Sequence, residues 1–408
     1  MDRKENNIFL VSDYGVKAND PKDQTLGIQK CIDACSKAGG GVIVITTGTY
    51  LISSIRLYSN ITLKLESGAI LLGSKNYKEY ENFNVPTTIK YLYDDKYVKK
   101  WNLPDYYFYA MITAFEEENI KIIGEPGSII NGQDTFDPNG EEKFRGPMGI
   151  IMSQIKNLTL EGYVFENSAN WSHTLDGCEN VTIKNLAIKA GHDGFNFHHS
   201  KKIRVSDCHL ETGDDCFAGY DVNDLLVEHC FLNTACNGAR IGGSKIVFKD
   251  CTFQGPGHYP HLSEDTYYTH AIFKYYALDS DSTKENSKGI KLIDCVIDNA
   301  DKLITYDNGK EQLLQNDVPL NDFTLEKVKI TGIRHTSLFK GNSENGTLHL
   351  KDVIIDSEMD EPFLIIDASI TLKLENVDFI KPVTIIQEGM SKIELTGKVT
   401  STNLIAEK

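Results

Sequence analysis

An eight-residue pattern returning about every 22 residues constrains this chain more than any other feature. From Leu158 onward it runs apolar, any, apolar, any, Asn or Asp, Cys or aliphatic, any, then Ile, Leu or Phe. Val181 to Ile188, Ile203 to Leu210, Leu225 to Leu232 and Ile246 to Phe253 carry it. Ile290 to Ile297, Phe323 to Ile330, Leu348 to Ile355 and Leu372 to Phe379 continue it. The starts at 158, 181, 203, 225 and 246 lie 23, 22, 22 and 21 residues apart. The next start, 290, lies 44 residues further on, which reads as two periods with one coil hidden by an insertion. Period-two alternation inside each unit means strands, and the unit is too short for a strand plus a full helix. Leucine-rich repeats share the length, but their spaced leucines and asparagine are missing. Parallel strands, one per coil, remain: the chain is expected to be an all-β parallel β-helix.

A solenoid grows along one axis, since each coil packs only on its neighbours. The 408 residues are therefore expected to form one domain, 1–408, although such a length ordinarily suggests two or three. An open end exposes apolar core and unpaired strand backbone, so it needs a cap. The cap is expected within about residues 1–50. Asp23 to Ser36 puts Ile28, Cys31, Ile32 and Cys35 on one helical face, and Gly39-Gly40-Gly41 ends the segment. Val42 to Ile45, Ile61 to Leu65 and Ile70 to Leu72 read as short strands. Two stretches break the rhythm: about 76–110, rich in Tyr, and about 255–270, rich in Pro, His and Tyr. Insertions in solenoids gather on one face, so both are expected to border a cleft.

Cys208, Cys230, Cys251 and Cys295 share the sixth position of the repeat and should stack in the core. A metal or redox role would need a His/Cys spacing that these four lack. Asn185, Asp207, Asp250, Asp294 and Asp352, one position earlier, read as a ladder of turns. The count of nine cysteines is odd and no C-x-x-C pair occurs, which suits free thiols. The N-terminal MDRKENNIFLVSDYG lacks the apolar stretch of a secretory leader. A cytoplasmic protein is expected, or a secreted one if a leader preceded it. No window offers the apolar length of a membrane span. The net charge of −16 argues against nucleic acid and anionic membrane as partners. A small acidic sugar in a locally cationic pocket stays open, as does the oligomeric state.

Counting twelve residues from each coil start locates the chemistry. Val181 leads to Asp193, Ile203 to Asp215, Leu225 to Asn237 and Ile246 to His258. The preceding column reads His192, Asp214, Cys236, Gly257. Successive coils are separated by roughly 4.8 Å. Asp193 and Asp215 are therefore expected as neighbours, with Asp214 alongside and His192, Asn237 and His258 flanking. Clustered carboxylates with no cation in their columns favour one proton shared among them, the condition for an acid beside a base. Gly213-Asp214-Asp215 could instead be a polar turn, and three carboxylates also suit Ca²⁺ or Mg²⁺. A lyase would add a basic residue, for which Arg240 is nearest. His198 and His199 read as turn residues, and Trp171 with His173 either lines the cleft or packs beneath it.

These residues resemble the polygalacturonase family of pectin-degrading glycoside hydrolases. Gly191-His192-Asp193-Gly194 keeps the aspartate of the family's Asn-Thr-Asp-Gly, and Gly213-Asp214-Asp215-Cys216-Phe217-Ala218 almost completes its second motif. Cys236-Asn237-Gly238 with Ile241-Gly242-Gly243 follows the third, with Asn237 in place of histidine. Ile272-Phe273-Lys274 follows Arg-Ile-Lys with the arginine gone. Asp13-Tyr14-Gly15-Val16, Gly39-Gly40-Gly41 and Gly48-Thr49-Tyr50 extend the likeness over about residues 10–300. It implies an all-β, right-handed parallel β-helix (a solenoid) with an N-terminal capping helix. It also implies inverting hydrolysis of an oligo- or polysaccharide without cofactor or metal: Asp214 as general acid, Asp193 and Asp215 activating water. His192, Asn237, Arg240, His258 and Lys274 are the expected substrate-binding residues. The altered third and fourth motifs leave open a neutral sugar, or a uronide held by Arg240 and Lys274. Two classes stand side by side: an exo-acting glycosidase, or a lyase, epimerase or binding module on the same scaffold.

Overall fold

The computed structural model describes residues 7–104, 107–278, 281–282, 287–308, 318–341, 345–400 and 404–407. Nearly every strand pairs in parallel with its equivalent on the next coil, and the fold is a right-handed parallel β-helix with an N-terminal capping helix. Contacts group the chain into two compact units, Met1–His209 and Leu210–Lys408.

In the first unit each coil contributes one strand to each of three ladders. The first ladder contains Gly41–Ile45, Ile61–Leu65, Glu118–Gly124, Lys156–Glu161, Glu179–Lys184 and Lys201–Ser206. Leu63 pairs with Ile122, and Leu160 pairs with both Ile122 and Ile183, so one face is a continuous apolar column. These side chains are fully buried, and each contributes about 1.5–3 kcal/mol relative to exposure. Coil starts align as the period predicts: Leu158 with Val181, and Val181 with Ile203. The ladder also reaches back to Gly41, further than the repeat is legible, because the 76–110 insertion enlarges one coil there.

The helix Thr25–Lys37 buries Ile28, Cys31, Ile32 and Cys35. Gly39 and Gly40 then take φ of 87° and 112°, a region where a Cβ is costly. Gly40 also passes so close to the Asn60 carbonyl that a Cβ there would lie 2.3 Å from the oxygen.

The turn ladder is a backbone requirement. Asn185 and Asp207 in the first unit have φ of 53° and 55°, and Asp250, Asp294 and Asp352 in the second have 51°, 52° and 54°. His229 and Lys327 adopt the same left-handed conformation at the equivalent position. Among residues other than Gly, Asn and Asp tolerate it best, which explains their predominance. A second such ladder, unforeseen, precedes the coil starts: Asn157 Nδ2 donates to Asn119 Oδ1 (2.9 Å) and Asn180 Nδ2 to Asn157 Oδ1 (3.1 Å).

In the second unit Leu225 pairs with Ile246, Ile290 with Phe323, Phe323 with Leu348 and Leu348 with Leu372. The step from 246 to 290 corrects the sequence reading. Ile246 pairs directly with Ile290 and Thr252 with Val296, so no coil is hidden between them. One enlarged coil carries the whole insertion. The cysteine thiols donate to the carbonyl two residues earlier: Cys230 to Glu228, Cys251 to Lys249 and Cys295 to Ile293, at 3.2–3.3 Å. Hydrogen bonding to Cys230 within the stack, with burial, pushes the Cys251 thiol up to about 12. All nine cysteines are free and buried. Among the described residues no helix is long and apolar enough to cross a membrane.

Candidate active site

In each unit the expected catalytic aspartates lie where a coil turns from its second ladder into its third. In the first unit that corner joins Ala187–Ala190 to Phe195–His198 and carries His192 and Asp193. Asp193 is fully buried, and its Oδ2 accepts from Asn196 Nδ2 at 2.7 Å. Its carbonyl accepts from the Ser172 amide at 2.9 Å. Ser172 Oγ and Asn196 Oδ1 are buried without a hydrogen-bond partner among the described residues. His192 is buried and stacks on Phe144, with ring centroids 5.6 Å apart, and meets Phe136 edge-on.

Histidines behind this corner behave differently from one another. His173 packs beneath, enclosed by Tyr163, Phe165 and Phe195, and burial drives its pKa down to about 3. His198, expected in a turn, lies on the strand between Trp171 and Tyr91. His199 does occupy a turn, at φ 49°, and its Nδ1 meets Thr88 Oγ1 at 2.7 Å. The Tyr-rich insertion folds over these strands. Tyr91 packs on Tyr97 and Trp101, and the Thr88 amide donates to Asp176 Oδ2 at 2.7 Å.

In the second unit the corner before Phe217 carries Asp214 and Asp215, and Asn237 begins the equivalent strand one coil on. The Asp214 carbonyl accepts from the hydroxyls of Thr212 (2.7 Å) and Thr234, which fixes the turn. Asp215 is fully enclosed. Asn237 Nδ2 donates to its Oδ1 at 2.7 Å and Arg240 Nε donates to its Oδ2. The carboxylate columns hold no cation in the sequence; the fold brings one from three residues past Asn237. Arg240 also lies over the Tyr276 ring, 4.3 Å from its centroid. Asp214 keeps a side-chain exposure of 12%, and His261 Nε2 approaches its Oδ1 to 3.7 Å.

Lys274 pairs in register with Arg240, so two cations occupy adjacent coils. Among the described residues no ion pair holds Lys274. His258 lies elsewhere: the neighbour of Asn237 on the next coil is Ala271, and His258 meets Glu211 Oε1 at 3.1 Å with half its side chain exposed. Counting twelve from Ile246 misplaces it, since the enlarged coil returns to register only at Ala271. For the same reason the neighbour of Cys236 is His270, not Gly257; the His270 amide donates to the Cys236 carbonyl at 2.7 Å. Counting missed His261 and His270, although both lie in the stretch marked by its histidines.

Residues 96–220, which include both aspartate motifs, match the model of the glycosyl hydrolases family 28. The chain resembles that family. Residues 8–116 match a second model, rhamnogalacturonase A/epimerase, pectate lyase-like. A polygalacturonase of Gossypium barbadense is 23% identical over 302 residues, covering 71% of this chain and 60% of the relative's length. An exopolygalacturonase structure from Thermotoga maritima superposes with a TM-score of 0.68 at 17% identity, covering 92% of each chain. The family 28 exopolygalacturonase of Yersinia enterocolitica gives 0.61 at 16% identity, covering 99% of this chain and 77% of that one. At such identities the structures share the fold.

Proposed function

We propose that this chain is an inverting glycosidase of the polygalacturonase kind, with Asp214 as general acid and Asp193 and Asp215 activating the attacking water. The unequal surroundings of Asp214 and Asp215 carry the reading. Asp215 has both oxygens occupied, one by the Asn237 amide and one by a guanidinium, and cannot reach a leaving group. Asp214 is the more exposed of the pair and can reach a glycosidic oxygen. Asp193 stands at the same offset from its coil start as Asp215, and the family 28 match includes all three.

The proposed substrate is an oligogalacturonide. Arg240 and Lys274, side by side, suit a uronate carboxylate. Reducing-end release should occur from galacturonic acid oligomers in preference to neutral ones. No release from any oligosaccharide, or an unsaturated product absorbing in the ultraviolet, would overturn the proposal. Inverting carboxyl pairs usually stand roughly 6.5–9.5 Å apart, with room for a water between them. The configuration of the first-formed product, read by NMR, is the decisive measurement for inversion.

A further inference from the structure

We propose that Asp214, Cys236, His261 and His270 form a transition-metal site, suited to Zn²⁺, that switches the catalytic corner off. The true register puts His270 beside Cys236, and the enlarged coil brings His261 to Asp214. Cys236 and His270 are neighbours on successive coils, with Sγ and Nδ1 3.8 Å apart. Across from them His261 Nε2 lies 3.7 Å from Asp214 Oδ1, and ligand atoms of Asp214, Cys236 and His261 all fall within 4.8 Å of one another. A tetrahedral shell with bonds of about 2.0–2.3 Å needs donors roughly 3.3–3.8 Å apart, so two of the edges are already at that length.

The donor set selects the metal. One thiol, two imidazoles and one carboxylate match Zn²⁺ and are wrong for Ca²⁺ or Mg²⁺, which take oxygen. The His270 ring is already oriented for ligation, with Glu264 Oε2 lying 3.4 Å from its Nε2. A carboxylate there favours the proton on Nε2 and leaves the Nδ1 lone pair facing Cys236. His261 Nδ1 is buried with no hydrogen-bond partner among the described residues, so no hydrogen bond at that nitrogen opposes use of the ring as a ligand. Burial first, and then the neighbouring Asp215 and Asp214, hold the proton on the Cys236 thiol. A metal ion displaces such a proton.

Ligation would occupy the Asp214 oxygen that must carry a proton to the leaving group, so the switch, unlike the metal site, rests on the proposed function. The test uses the reduced, chelator-treated full chain titrated with Co²⁺, then competed with Zn²⁺. One equivalent of Co²⁺ should produce a thiolate-to-metal charge-transfer band, which Zn²⁺ abolishes. Cys236→Ser should remove the band and weaken Zn²⁺ binding at least 10-fold. His270→Gln should keep a weakened band, and circular dichroism checks that both variants fold. Cys230→Ser, in the core stack, should change nothing. Absence of a band in the parent chain, or its persistence in Cys236→Ser, would overturn the site. A separate rate measurement should show Zn²⁺ inhibition reversed by chelator, with Cys236→Ser needing at least 10-fold more Zn²⁺ relative to its own metal-free rate. Metal binding without inhibition would overturn the switch and leave the site standing.

Discussion

Asp214 and Asp215 are adjacent in the chain and opposite in circumstance, and the partner that separates them is Arg240. Asp214→Asn keeps shape but cannot donate a proton, so poor leaving groups should lose about 10²–10⁴-fold in rate. Activated aryl glycosides should lose much less. Equal damage on both substrate kinds, measured as kcat/KM, would remove Asp214 from the acid role. Arg240→Met should act on stability first, because it leaves the fully buried Asp215 charge without its cation. Breaking a buried pair costs about 3–5 kcal/mol, and with Arg240 21% exposed the loss should fall near the low end. Urea unfolding measures it, and adding Asp215→Asn should recover most of it. His173 links pH to stability. Its folded pKa of about 3 lies below the usual 6.5, so the folded state refuses a proton that the unfolded chain accepts. Stability should therefore fall as pH drops from 6.5 toward 3, by up to about 1.4 kcal/mol per unit. His173→Phe should flatten that limb of the pH–stability curve; an unchanged slope would mean other groups dominate it.

At the scale of the coil, the left-handed residue after each first-ladder strand sets where the chain turns. At Asp294, φ 52°, a β-branched side chain meets the steric cost of that region, about 1–2 kcal/mol. Asp294→Val should lower the denaturant midpoint accordingly, whereas Asp294→Gly should stay close to the parent. If the two behave alike, the side-chain hydrogen bonding of Asp is the important quantity and the backbone is not. The ladder strands themselves were readable because alternation is local: Leu158, Val181 and Ile203 face inward for the same reason at each repeat. The enlarged coils were not readable. A count of residues carries no information about how far an insertion loops before register resumes, and only the pairing of Asn237 with Ala271 and Ile246 with Ile290 shows it.

Over the whole molecule, nine buried thiols and no disulfide mean that covalent cross-links contribute nothing to stability. The thermal midpoint should be the same with and without reductant, and a thiol reagent should titrate every cysteine but Cys236 only after denaturation. Fast labelling of those eight in native protein, or a midpoint lowered by reductant, would contradict the free-thiol core. The same cysteines show what the sequence determined by itself: period, strand identity, inward faces, the capping helix and the left-handed positions. Each follows from steric and hydrophobic demands acting within a few residues, repeated until the pattern is unmistakable. Tertiary structure alone decided which polar groups meet. Arg240 reaches Asp215, His270 faces Cys236, and His258 goes to Glu211. Those contacts depend on where an enlarged coil re-enters the ladder, and that is settled by the pairing of backbone far apart in the chain.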